Sequence, residues 1–172
     1  MIYIIRHQEG EVFSNCLSLK GLRRVRHMAR VLRGSFENMP LKCVHTCRPM
    51  EFKHIRPVQT ASALCTFLED RFSTFAHMSY DGVLRDLSKL ADIDRYDVVI
   101  VWHHGEIIDL ANVLCDYFEV PKSLVVSPWP DDNYDGCLLI DTHEKDAGFI
   151  HNFFKSKTKK KNLFFLNCLK LF

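Results

Sequence analysis

Arg6 and His7 stand side by side at the end of an apolar run, IYII, and two further polar clusters share that kind of placing. Arg48 and Arg56 follow the run LKCVHTC, and His103 and His104 close YDVVIVW. Guanidinium groups are planar, permanently charged and shaped to grip two phosphate oxygens at once. A neutral imidazole can attack phosphorus and carry the phosphoryl group. A second imidazole can add a donor to the equatorial oxygens, where the transition-state charge gathers. The leaving oxygen also needs a proton, best supplied by a carboxylic acid close by. Histidine, arginine and one acid suffice for that chemistry, so the expectation includes no metal and no organic cofactor. Any one of these residues alone reads more simply as a solvated loop start or a hydrogen-bonded turn. Their shared position at strand ends is what raises the chemical reading.

The elements that would position them follow from periodicity. Residues 2–5 read as a short buried strand. LSLKGLRRVRHMARVLRGSF has helical spacing, with Leu22, Val25, Met28, Ala29 and Leu32 on one stripe, Ser18 as N-cap and Gly34 as terminator. Residues 41–47 form a second strand, and PVQTASALCTFLEDRF a second helix with Pro57 in its first turn. Residues 73–96 are harder: DGVLRDLSKL fits either a short strand or a loop with a helical turn. YDVVIVWHH, 96–104, is the strongest strand, EIIDLANVLCDYF a helix, SPWPDDNYDG a loop and CLLIDTH, 137–143, a further strand. Strands alternating with helices predict a three-layer α/β/α sandwich around a mostly parallel sheet. In such sheets ligands bind beyond the carboxyl ends of the strands, where the arginines and histidines lie. Neighbours on a strand point to opposite faces, so His103 and His104 are not expected to line the pocket together.

With these residues in place, the chain resembles the histidine phosphatase superfamily, the phosphoglycerate mutase-like clan. Arg6-His7-Gln8-Glu9 matches its Arg-His-Gly start, and Leu17-Ser18-Leu19-Lys20-Gly21 its step into the first helix. Arg56-Pro57-Val58-Gln59-Thr60-Ala61 matches its Arg-Ala-x-Gln-Thr-Ala step, and His104-Gly105 its late strand end. The matches come in the family's order across roughly residues 2–115. The resemblance implies that His7 is the phosphorylated nucleophile and that Arg6, Arg56 and His104 complete the phosphate pocket. It implies Asp86, in Leu84-Arg85-Asp86, as general acid, with Glu106 as runner-up. It also implies a metal-independent phosphatase acting through a phosphohistidine, on a phosphorylated small molecule or phosphoprotein. The short chain speaks against a mutase. Gln8 departs from the family glycine: its side chain either crowds the site or adds an amide donor. The rival reading is therefore a pseudo-phosphatase that binds phosphorylated ligands without turnover, and a phosphoglycerate mutase-like phosphotransferase is a third.

Two competing signals are weaker. Cys65 and Arg71 have the C-x5-R spacing of cysteine phosphatases, but lie in an acidic stretch that disfavours a thiolate and lacks glycines. Cys43, His45 and Cys47 share one strand face and could hold zinc, yet no second ligand pair is suitably spaced, and burial explains them more simply.

Composition sets the frame. At 172 residues, 47% hydrophobic and 26% charged, the chain fits one soluble domain rather than a disordered or fibrous one. Seven cysteines without a CxxC pair read as free thiols of a reducing, cytoplasmic compartment rather than a disulfide framework. No signal peptide and no membrane-length apolar run are seen. A net charge of +2 does not point to nucleic acid. The expected organisation is a catalytic domain over 1–150 and a basic, partly apolar tail over 151–172. Contact of that tail's lysines with nucleic acid or an anionic membrane is the less favoured reading against a solvated linker.

Overall fold

A computed structural model describes residues 1–11, 15–36, 40–48, 55–68, 73–77, 79–90, 92–122, 125 and 129–155. Six strands make one sheet: β1 (Ile2–Arg6), β2 (Leu41–Cys47), β3 (Ser73–His77), β4 (Asp97–Trp102), β5 (Cys137–Asp141) and β6 (Asp146–Ile150). Among the described residues four α-helices accompany them: α1 (Leu19–Ser35), α2 (Ile55–Leu68), α3 (Tyr80–Leu87) and α4 (Ile107–Tyr117). The strand order is β3-β2-β4-β1-β5-β6. Pairs β1–β4, β2–β4 and β2–β3 are parallel, whereas β5 runs antiparallel to both β1 and β6. The fold is the expected α/β/α sandwich, mostly parallel, with an antiparallel edge.

Alternation in the central strands sorts their side chains into two cores. Ile2, Ile4, Val98, Ile100 and Trp102 pack with Val83 and Leu87 of α3 and with Ile107, Leu110 and Leu114 of α4. Tyr3, Ile5, Val99 and Val101 pack with Val25, Met28 and Leu32 of α1 and with Ala61, Leu64 and Leu68 of α2. Every residue of β1 and β4 is buried, as expected of strands covered on both faces. Burying each large aliphatic side chain contributes roughly 1.5–3 kcal/mol, enough collectively to hold Arg6 and His7 inside at the strand's carboxyl end.

Local chemistry sets the helix starts. Ser18 caps α1, accepting from the Gly21 N–H at 2.9 Å, and α1 runs one residue past Gly34 to Ser35. Pro57 lies in the first turn of α2, where its missing N–H costs nothing. Residues 80–87 are helix, not strand. Edge strand β3 and hairpin strand β6 were not expected: each is only five residues long and neither alternates cleanly. Lys145, at φ 55°, turns the chain between β5 and β6. Packing continues beyond residue 150, since Phe153 and Phe154 are buried in the α1/α2 core. The lysine-rich stretch from 156 onward, and Arg71 of the C-x5-R pattern, lie outside the described residues.

Candidate phosphate-binding site

β1 and β4 are neighbours, so their carboxyl ends deliver Arg6-His7 and His103-His104 to one place. The His7 N–H donates to the Trp102 carbonyl at 3.1 Å, which stitches this first residue beyond β1 to β4. The His7 ring is fully buried, with Nδ1 3.1 Å from the Gln8 carbonyl oxygen. A carbonyl can only accept, so Nδ1 carries the proton and Nε2 the lone pair. Nε2 is buried and has no hydrogen-bond partner among the described residues. Burial pushes the His7 pKa down to about 3, with the Arg56, Arg6 and His103 charges acting in the same direction and the Gln8 carbonyl opposing. His7 is thus neutral at pH 7, the form a nucleophile needs.

Arg6 is held from the loop before β5. Its Nη1 donates to the Asp131 carbonyl, its Nη2 to the Tyr134 hydroxyl at 3.2 Å, and its guanidinium lies 4.0 Å from the Tyr134 ring centroid. Its buried Nε–H has no protein partner among the described residues. Arg56, in the first turn of α2, sits against Gly10: a Cβ there would come within 2.7 Å of the Arg56 Cδ. The Arg56 charge acts on Arg6, His7 and His104 alike, which places it in the same cluster. Arg48 follows β2 on the surface, its backbone N–H bonded to the His77 carbonyl.

His103 and His104 do not obey strand alternation, because β4 ends at Trp102. His103 precedes a 3-10 turn over His104–Glu106, and this turn swings both rings toward His7. Ring centroids are 5.5 Å apart for His7–His103, 5.8 Å for His7–His104 and 4.5 Å for His103–His104. The expectation that only one of the pair reaches the pocket is corrected. His104 Nε2 lies 3.8 Å from the exposed Asp131 carboxylate, and its buried Nδ1 is unpartnered among the described residues. Burial, then Arg6, lowers the His104 pKa.

The motif residues that do not touch the pocket fasten it. Thr60 Oγ1 accepts from the Gln8 N–H at 3.1 Å, and Gln59 Oε1 from the Leu17 N–H at 2.6 Å. Ser18 Oγ donates to the Glu9 carbonyl at 3.0 Å. Glu9 itself pairs with Lys20 and Arg24 at 3.1 and 3.0 Å. The starts of α1 and α2 therefore clamp Gln8, Glu9 and Leu17 from two sides. Gln8 does not take a left-handed conformation. Its amide Nε2 donates to the Arg6 and Tyr134 carbonyls at 3.3 and 3.1 Å. Both amide hydrogens are spent on the scaffold, so the side chain is not an additional phosphate donor.

The two candidate acids sit differently. Glu106 is half-buried in the same 3-10 turn as His104 and accepts from the Trp102 indole N–H at 3.1 Å. Asp86 lies on α3, bonded to Lys89 at 2.9 Å and 3.9 Å from His77 Nδ1. The Lys89 bond is the main cause that lowers its pKa. Cys43 Sγ and His77 Nε2 engage both His45 ring nitrogens, at 3.1 and 2.8 Å, which leaves that histidine no lone pair for zinc. Asp131 and Tyr134 escaped the sequence reading. The only signal was an aromatic, acidic loop just before a buried strand.

Comparison with solved structures places the architecture. The chain superposes on a phosphoglycerate mutase from Plasmodium falciparum with a TM-score of 0.54 and 12% identity, covering 93% of this chain and 94% of that one. A putative phosphohistidine phosphatase, SixA, from Agrobacterium tumefaciens also matches, with a TM-score of 0.48, 14% identity and coverage of 87% and 94%. No protein-family model matches the chain, and no curated protein is similar to it in sequence. The likeness shows a phosphoglycerate mutase-type α/β fold.

Proposed function

We propose that this chain is a phosphatase that hydrolyses phosphomonoesters through a phosphohistidine. The observation that carries the reading is His7: neutral, tautomerically fixed by the Gln8 carbonyl, with an Nε2 lone pair unpartnered among the described residues, amid Arg6, Arg56 and His104. Nε2 attacks phosphorus, the N–P bond forms and the P–O bond to the leaving group breaks. Arg6 Nε–H, Arg56 and His104 stabilise the equatorial oxygens. A carboxylic acid gives its proton to the leaving oxygen and recovers one from the water that then cleaves the N–P bond, releasing inorganic phosphate. Glu106 suits this role better than Asp86, because it shares the His104 turn, whereas Lys89 holds Asp86 ionised. His7 is fully buried, so the partly exposed His103 and His104 side chains must shift to admit a phosphoryl group. The substrate class is a phosphorylated small molecule or phosphoprotein. Seven cysteines without a CxxC pair are the ground for proposing a reducing, cytoplasmic setting.

An aryl phosphate assay with acid-quenched and alkali-quenched trapping tests this. Turnover with an acid-labile, alkali-stable phosphoenzyme is expected, lost by at least about a thousandfold in His7→Ala. Glu106→Gln should lower kcat by about 10²–10⁴ and Asp86→Asn by much less. Turnover that survives His7→Ala refutes the mechanism. Gln8→Gly separates the pseudo-phosphatase: an inactive wild type that gains turnover in this variant shows that the glutamine blocks catalysis.

A further inference from the structure

We propose that His7, His103 and His104 also form a site for one zinc-class divalent cation, and that the cation competes with the phosphoryl group for His7 Nε2. One nitrogen of each ring can be chosen so that all three lie within 4.8 Å of one another. Around tetrahedral zinc, nitrogens about 2.0–2.1 Å from the metal sit about 3.4 Å apart. The rings must therefore close by about 1.4 Å. His103 and His104 can supply that shift, because both are partly exposed and stand outside the strand, on a short 3-10 turn.

The lone pairs argue for an electrophile rather than a hydrogen-bond donor. His7 Nδ1–H faces the Gln8 carbonyl, so Nε2 is purely an acceptor. Phosphate oxygens are acceptors too and gain nothing from it; phosphorus or a metal cation does. His104 Nε2 lies 3.8 Å from the exposed Asp131 carboxylate, beyond hydrogen-bond length, and in the tautomer that carries its proton on Nε2 the buried Nδ1, unpartnered among the described residues, offers a second lone pair to a metal. His7, whose far nitrogen donates to the Gln8 carbonyl, is oriented as metal-binding histidines are. Neutral imidazoles suit zinc-class ions, and three of them leave a fourth position for water or a phosphate oxygen. Arg6 and Arg56 oppose a cation here. Part of the Arg6 charge is directed to the Asp131 carbonyl and to Tyr134. The consequence for the phosphatase, which rests on the function proposed above, is inhibition: a coordinated Nε2 cannot attack phosphorus, and a chelator restores it.

Chelator-treated full-length protein titrated with Co²⁺ tests the site without any assay of turnover. The expected result is one equivalent bound, with the strong visible bands of four-coordinate cobalt, no thiolate charge-transfer band, and displacement by Zn²⁺. His103→Ala should weaken cobalt binding by at least about tenfold while orthovanadate still binds, and His7→Ala should abolish the bands. Orthovanadate added to the wild type should weaken cobalt binding in proportion to its own occupancy. The site is overturned by absent bands, by a thiolate band that points to the cysteines, or by affinity unchanged in His103→Ala. Simultaneous, independent binding of vanadate and cobalt overturns the competition. Cobalt binding with no vanadate binding at all would leave the metal site standing and remove the phosphatase reading.

Discussion

Away from the pocket, Cys43, His45, His77 and Asp86 form a directed chain of polar groups beneath α3. The Cys43 thiol donates to His45 Nε2, His45 Nδ1–H donates to His77 Nε2, and His77 Nδ1–H points toward Asp86. This order works with both imidazoles neutral. Burial pushes the His45 pKa down to about 4, with the His77 charge adding to the fall. An unfolded histidine titrates near 6.5, so the unfolded chain binds more protons wherever the pH lies between the two values. Stability is then complete above about pH 6.5 and is lost as pH falls toward 4. At about 1.4 kcal/mol per unit the His45 share is roughly 3 kcal/mol, and His7 acts in the same direction. Urea unfolding across this range should show His45→Gln less stable than wild type at pH 7 but flatter with pH, by roughly 3 kcal/mol. Equal pH slopes for the two proteins would refute this account. Residue types marked Arg6, His7, Arg56 and His104 in advance at strand ends or a helix start, and the fold brings these four near one another. His103 was misjudged because alternation was carried past Trp102, where the strand has already ended. Asp131 and Tyr134 could not be read, since a loop's path over a distant strand end has no local signature.

Two glycines of one helix separate position from propensity at the scale of elements. A Cβ on Gly21 would lie 2.4 Å from the Glu9 carbonyl oxygen and 2.8 Å from Leu17 Cδ1. Around Gly34 the same atom meets nothing within 4 Å. Gly21 is small because the strand-end loop carrying His7 passes directly over the start of α1. Gly21→Ala should therefore destabilise the fold by about 1–3 kcal/mol and weaken orthovanadate binding, because the displaced atom belongs to the loop that the Ser18 cap holds. Gly34→Ala should stabilise by about 0.5–1 kcal/mol through helix propensity alone and leave vanadate affinity unchanged. Chemical denaturation and calorimetry on the pair settle the matter. A neutral Gly21→Ala would mean that the α1 start does not brace the pocket. Helices α1 and α2 were legible because each pairs helical spacing with a start signal, Ser18 and Pro57, and α4 from its apolar helical run alone. Strands β3 and β6 were not, because each is completed by its neighbour: β3 by β2 along its length, β6 by the hairpin with β5.

At the scale of the whole molecule, the parallel centre was legible from alternating strand and helix runs, whereas the antiparallel β5–β6 edge was not. That edge returns the chain to the pocket. Beyond β6, Phe154 is fully buried in the α1/α2 core, and its N–H donates to the Asp135 carbonyl at 3.1 Å. Its carbonyl accepts from His27 Nε2 on α1. Lys155 and Arg24 meet the Asp135 carboxylate at 3.4 and 2.8 Å. Asp135 adjoins Tyr134, whose hydroxyl accepts from the guanidinium of Arg6 and whose carbonyl accepts from the Gln8 amide. The residues just past 150 thus lock the loop that positions Arg6. Phe154→Ala should cost about 3–5 kcal/mol from the lost burial and the cavity left behind. It should also weaken orthovanadate binding more than an equally destabilising core change remote from that loop, for which Leu114→Ala in α4 is the control. A chain ending at Ile150 should lose both stability and vanadate affinity. Matched vanadate affinities for Phe154→Ala and Leu114→Ala, measured by calorimetry at a temperature where both are folded, would show that the segment after β6 supports only the core and has no hold on the site.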